Sequence, residues 1–131
     1  MFKKLMLAGS AVAMMVAGTA HASDTVKVGI VLTLTTPAAI IGKQMKAGFE
    51  VAYDHLGGQI AGKKLELIFE DDTFKPNIGK QKTEKLVKRD KVDFLTGYIW
   101  SHVLGASAPV GFKAGKIVIS SNAGHSIFAG K

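Results

Sequence analysis

Residues 26–32, Val26-Lys27-Val28-Gly29-Ile30-Val31-Leu32, begin by alternating and then turn continuously apolar. A strand with one wet face keeps alternating, whereas one buried on both faces inside a parallel sheet does not. The stretch is therefore read as an interior strand, and the flanking chain is expected to supply helices to both faces. Downstream, Ile41, Met45, Phe49, Ala52 and Leu56 recur at steps of three or four, the stripe of an amphipathic helix that Gly57-Gly58 stops. The polar loop 33–37 between them holds threonines placed to cap that helix. Residues 64–70 read as a second strand. Residues 76–89 read as a second helix, with Pro76 in its first turn and Ile78, Leu86 and Val87 facing inward. A short third strand over 92–95 runs into Thr96-Gly97. A third helix is expected over 102–112 despite Gly105, Pro109 and Gly111, then a fourth strand over 116–120 and a loop over 121–131. Strand and helix thus alternate as β-α-β-α-β-α-β, which implies an α/β fold: a parallel sheet with right-handed crossovers and helices on both faces.

Upstream of the first strand the pattern changes. Met1-Phe2-Lys3-Lys4 is basic, residues 5–18 are uncharged and mostly apolar, and Thr19-Ala20-His21-Ala22 places small residues where a signal peptidase reads them. The apolar run is roughly 14 residues against the roughly 20 that a membrane span needs. Residues 1–22 are therefore read as a secretory signal cleaved after Ala22, and residues 23–131 as an exported, most simply periplasmic, domain.

The 131 residues carry 17 Lys+Arg against 10 Asp+Glu, a net charge of +7, and no cysteine. An absent cysteine excludes disulfide scaffolds, thiolate metal sites, cysteine nucleophiles and lipidation through cysteine. Export takes the chain away from DNA and most RNA. The lysines between Lys75 and Lys91 suit the solvated face of a helix, so no nucleic-acid partner is expected.

Ligands of open parallel sheets bind outside the carboxyl ends of the strands, here loops 33–37, 71–74, 96–102 and 121–125. The first loop lacks the G-x-G-x-x-G of a dinucleotide site, and the tail from Gly124 to Lys131 has the wrong spacing for a phosphate loop. No serine stands in the G-x-S-x-G context of a hydrolase nucleophile, although His102 and His125 share a sheet edge. Asp71-Asp72 is read as pinning a loop or capping the next helix in preference to binding a metal. Tyr98 and Trp100, beside Ser101 and His102, suit the lining of a small-molecule pocket; the alternative is that Trp100 fills space beneath the third helix. Ser121-Asn122-Ala123-Gly124 is small and polar, allowing close approach of a ligand to the backbone. No catalytic group, metal or cofactor is expected.

Several of these stretches carry a resemblance. Val28-Gly29-Ile30, Thr36-Pro37-Ala38-x-x-x-Gly42, Gly48-Phe49-Glu50, Gly58-x-x-x-Gly62-Lys63-Lys64-Leu65 and Glu70-Asp71-Asp72 run in order through the first half. Leu86-Val87-x-x-Asp90-Lys91-Val92-Asp93, Gly97-x-x-x-Ser101, and Pro109 followed by Ile117-Val118-Ile119-Ser120 continue it. Together they resemble the periplasmic solute-binding proteins of the branched-chain amino acid (Leu/Ile/Val) type. The resemblance implies a type I periplasmic-binding fold, no catalysis, and delivery of a small molecule to an ABC permease in the inner membrane. Members are much longer, so it also implies that residues 23–131 are part of the first lobe, with one sheet edge uncovered and prone to aggregation. By motif, Ser101 matches the ligand-contacting serine, and Asn122, Ala123 and Gly124 match the contact segment after the fourth strand. Amino-acid binders usually have threonine or serine where Gly124 stands. The wording around it looks more like the branch that binds aromatic carboxylates, whose ring Tyr98 and Trp100 would suit. A sensor of the same fold, and an exported α/β hydrolase using His102 or His125, are the alternatives.

Overall fold

A computed structural model describes residues 24–129. Residues 1–23, on which the expected secretory signal falls, and the tail Gly130-Lys131 lie outside the described residues. The opening stretch forms β1 (Thr25–Leu32), and its second half, from Gly29 to Leu32, is buried as the unbroken apolar run requires. It is the middle strand of five. In chain order follow α1 (Ala39–His55), β2 (Gln59–Ile60), β3 (Lys63–Asp71), α2 (Pro76–Lys85), β4 (Phe94–Gly97), α3 (Ser101–Lys113) and β5 (Ile117–Ser120). The sheet runs β2-β3-β1-β4-β5. All of its pairings are parallel except β2 with β3. Val28 pairs with Leu67 on one side and with Phe94 on the other.

Alternation along β1 sends Ile30 and Leu32 to one face and Val31 to the other. On the first face they meet Ile41, Met45 and Phe49 of α1, the stripe expected from the sequence. Ala52 and Leu56, counted on that stripe, are exposed instead; the last turn of α1 packs Tyr53 against the Gly58 backbone. On the second face, Val31 and Leu95 pack under Leu86, Val103 and Ala108, so α2 and α3 lie together there.

Two stretches differ in kind from the sequence reading, and the third helix keeps its expected course. Ala61 and Gly62, at φ 50° and 75°, form a tight reversal that pairs β2 antiparallel with β3, a hairpin geometry needing two left-handed residues. The second helix is not one piece: α2 ends at Lys85, a π-helical turn spans Leu86–Asp90, and Lys91 at φ 55° closes it. This turn still buries Leu86 completely, while Ile78 and Val87 are half-buried. The third helix runs through Pro109, whose ring is exposed. Its Gly111 lies where a Cβ would meet Leu95 Cδ1 at 2.8 Å, so that glycine sets how closely helix and sheet approach.

Leu95 and Val118 face α3, so Phe94, Ile117 and Ile119 face the opposite way. They are 36%, 58% and 56% exposed, an uncovered apolar corner on the α1 face.

Candidate functional site

The carboxyl ends of β1, β3, β4 and β5 converge, and each is followed by one of the loops singled out above. Two neighbouring aspartates hold the first two loops together. Asp71 accepts from the Leu34 amide at 2.9 Å, the Thr35 hydroxyl at 2.5 Å and the Thr73 amide at 2.9 Å. Burial raises its pKa, but these donors outweigh burial and leave the carboxyl below its ordinary value. Asp72 is fully buried and accepts from the Thr33 hydroxyl at 2.5 Å and the Phe74 amide at 2.8 Å. Here burial dominates and pushes the carboxyl above its ordinary value; its Oδ2 has no hydrogen-bond partner among the described residues. The pair thus pins loops. It does not cap α2, whose N-cap Lys75 has no side-chain cap bond. Thr33 and Thr35, expected to cap α1, do not; both are engaged by the aspartates, and the N-cap Ala38 has no side-chain cap bond.

The third loop is shaped by Gly97, at φ 97°, packed so closely on β1 that a Cβ would come within 3.0 Å of the Val31 backbone. Tyr98 follows at φ 54°, and these two left-handed residues break the strand's alternation. Tyr98 consequently turns into the core, where it is fully buried and its hydroxyl lies 3.1 Å from Thr83 Oγ1. Burial pushes that phenol up to about 12. Only the backbone of Tyr98 serves the loops, its carbonyl accepting from the Ala123 amide at 3.2 Å.

Trp100 is half-buried at the mouth and donates its indole N–H to Thr33 Oγ1 at 2.9 Å. Its ring meets Phe74 edge-on, centroids 4.9 Å apart at 87°, and Phe74 meets His102 in the same manner at 4.9 Å. Ser101 and His102 are exposed on the first turn of α3. The first bond closing that helix runs from the Leu104 amide to the Trp100 carbonyl, so the amides ahead of it have no partner within the helix. The Ser101 hydroxyl reaches the Gly124 carbonyl at 3.3 Å, joining third and fourth loops. The exposed Asn122 donates its side-chain amide to the Ile99 carbonyl at 3.0 Å, and the half-buried Ala123 carbonyl accepts from Ser120 Oγ at 2.6 Å. Behind Ala123 and Gly124 a hollow of about 520 Å³ is lined by apolar groups including Leu104, Phe112 and Phe128.

Of the residues expected in the site, Trp100, Ser101, His102, Asn122, Ala123 and Gly124 thus gather at one edge, and the Tyr98 side chain does not. Thr33, Asp72 and Phe74 join them without having been singled out as site groups. His102 and His125 have separate surroundings: His102 faces the Phe74 carbonyl at 3.4 Å, and His125 Nδ1 accepts from the Ile127 amide at 3.3 Å. Neither bond is to a serine or a carboxylate, the arrangement a hydrolytic triad requires. Among the described residues no three metal-ligating side chains cluster, and no helix is long and apolar enough to cross a membrane.

Comparison with known proteins is consistent along the chain. The periplasmic binding protein family matches residues 25–130. A Leu/Ile/Val-binding protein of Rhizobium johnstonii is 36% identical over 93 residues, 70% of this chain and 24% of its own. A Leu/Ile/Val-binding protein homologue of Brucella abortus is 31% identical over 123 residues, 92% of this chain and 33% of its own. Among solved structures, an ABC-transporter solute-binding protein of Rhodopseudomonas palustris in complex with 3,4-dihydroxybenzoic acid is 33% identical, with a TM-score of 0.76. The match covers 80% of this chain and 29% of that one. The branched-chain amino acid transporter substrate-binding protein of Streptococcus pneumoniae, in complex with isoleucine, is 28% identical with a TM-score of 0.72, covering 76% and 29%. The chain therefore spans 24% to 33% of the length of these relatives.

Proposed function

The chain belongs to the periplasmic binding protein family, and from that premise we propose that it belongs to the solute-binding component of an ABC importer, capturing a small carboxylate. One observation carries the reading. The uncapped first turn of α3, with the Ser101 hydroxyl beside it and the Gly124 backbone opposite, opens at the carboxyl end of a parallel sheet. Unpaired amides at a helix start favour negative charge, and a hydroxyl 3.3 Å from its present acceptor is readily surrendered to a ligand oxygen. The carboxylate of an amino acid or an aromatic acid meets both demands, and relatives of each kind are represented above. Ala123 and the pinned Asn122 supply close backbone approach, and Trp100 packs the apolar part of the ligand.

Binding of this kind involves no catalytic step. A second lobe closing over the ligand converts occupancy into a shape that the inner-membrane permease distinguishes, a population shift driven by differential contacts. The periplasm is the compartment of the family, and the pattern of residues 1–22 supports export to it.

The test is a thermal-shift titration of the protein expressed from its complete reading frame, with branched-chain amino acids and hydroxybenzoates as probes. A ligand at a hundred times its Kd adds about 2.7 kcal/mol and raises Tm. Ser101→Ala should weaken the binding found by about 0.5–3 kcal/mol, the range for one hydrogen bond to a neutral or charged partner. No rise with any probe would sink the proposal, and an unchanged affinity would remove Ser101 from the site.

A further inference from the structure

We infer that Phe74 and Trp100 form the specificity-determining wall of this site, that Asp72 is its positioning residue, and that the wall selects a flat aromatic ring over a branched aliphatic chain. The inference rests on the solute-binding reading and adds residues and a ligand class to it.

Thr73 and Phe74 are both left-handed, at φ 50° and 64°. A non-glycine residue in that region is strained, and such strain persists only where surrounding bonds impose it. Those bonds are present: Asp71 takes the Thr73 amide and Asp72 takes the Phe74 amide. Their effect is to leave an aromatic ring 41% exposed at the mouth of the site, where burial alone would have turned it inward.

The same Asp72 oxygen fixes the second ring. An indole N–H only donates, so Thr33 Oγ1 accepts from Trp100, and the Thr33 hydrogen goes to Asp72 Oδ1. One buried carboxyl thus sets the backbone of Phe74 and, through Thr33, the ring of Trp100. Three loops that are remote in sequence are tied into one geometry. The two rings stand at 87° to one another, forming a corner. A planar ring entering it stacks on the face of one ring and turns its edge to the face of the other. That gains interaction beyond buried area, whereas a branched aliphatic group gains area alone.

Calorimetric Kd values for 4-hydroxybenzoate and isoleucine, taken on the protein from its complete reading frame, test this through their ratio. Loss of stability alone weakens both ligands alike and leaves the ratio unmoved. Wild type should prefer the benzoate. Phe74→Leu, Thr33→Val and Asp72→Ala should each shrink the preference about three- to tenfold, the range for one aromatic contact. Thr33→Ser and Asp72→Asn, which keep the relay's acceptors, should restore it. Should Asp72→Ala fail to fold, Phe74→Leu and Thr33→Val still decide the matter. An unchanged ratio in those two variants overturns the wall. A wild-type preference for isoleucine overturns ring selection while leaving the solute-binding reading standing, and binding of neither probe removes both.

Discussion

Replacing a helical glycine with alanine is expected to have opposite signs at two positions of α1 only six residues apart. Gly48 has open space around it: nothing lies within 4 Å of where a Cβ would stand. Gly48→Ala should therefore stabilise by about 0.5–1 kcal/mol, the usual helical difference between these residues. At Gly42 a Cβ would stand 2.8 Å from the carbonyl carbon of Thr33, closer still to its oxygen, and 3.3 Å from Ile99 Cδ1. Carbon atoms in contact sit about 3.5–4.0 Å apart, and the oxygen is the tighter clash, so α1 would have to retreat by more than about 1 Å from the loop it packs on. Overpacking of that kind costs about 1–3 kcal/mol and outweighs the helical gain. The two variants should accordingly differ by about 1–3 kcal/mol in urea unfolding, read as midpoint shifts at constant m. Gly42→Ala should also weaken ligand binding, because the backbone it displaces carries the Thr33 hydroxyl shared by Asp72 and Trp100. Shifts of the same sign in both variants would refute the reasoning.

Two further outcomes follow from the core and the charge network. Thr83 donates to the Gly79 carbonyl at 2.9 Å, which leaves Tyr98 as the donor in their contact. Tyr98→Phe should therefore lower unfolding stability by about 1 kcal/mol and leave ligand affinity unmoved, and a loss of affinity would return the ring to the site. Glu70 is nearly buried and accepts from Lys82 at 2.8 Å and from Lys85, which also binds Asp90 at 2.8 Å. Burial raises the pKa of Glu70, but the two lysines more than offset it; at Asp90 the Lys85 bond is the leading cause of a lowered value. Carboxyls lowered by folding contribute stability that is present above their unfolded pKa of about 4 and lost as pH falls below it. Asp72, raised by burial, works in the opposite sense. Urea midpoints between about pH 3 and pH 6 should thus fall with acid in wild type, less steeply in Glu70→Gln. A steeper fall in the variant would contradict the assignment.

The elements most legible in the sequence were those with a clean period: the apolar run of β1 and the stripe carrying Ile41, Met45 and Phe49. What escaped had its cause elsewhere in the chain. Ala61 does not advertise a left-handed turn as asparagine or glycine would, so its own identity does not mark the β2 hairpin. Gly111 and Pro109 weaken a helix locally, yet Gly111 is required by the closeness of Leu95 and Val118. Tyr98 and Trp100 look equivalent in sequence, two positions apart on an aromatic loop. Gly97 and Tyr98 itself leave the extended conformation, and that irregularity sends one ring into the core and the other to the mouth. The loop-pinning role of the aspartates was readable from their place at a strand end. The relay through Thr33 was not, because its members are separated by 39 and 67 residues and meet only when the sheet is complete.

The position of β1 at the centre of the sheet sets the order of events in time. It is the first of the described strands to be synthesised, yet Thr33 at its end meets Asp72 39 residues later, and Lys27 meets Asp93 66 residues later. At roughly 5–20 residues per second, translation leaves the central strand without its last partner for about 3–13 s. Pairings so remote also form slowly once both halves exist, since loop closure precedes any gain from contact. Until β3 and β4 are both available, β1 keeps its two edges open to other pairings, the exposure through which an unfinished sheet associates with other chains.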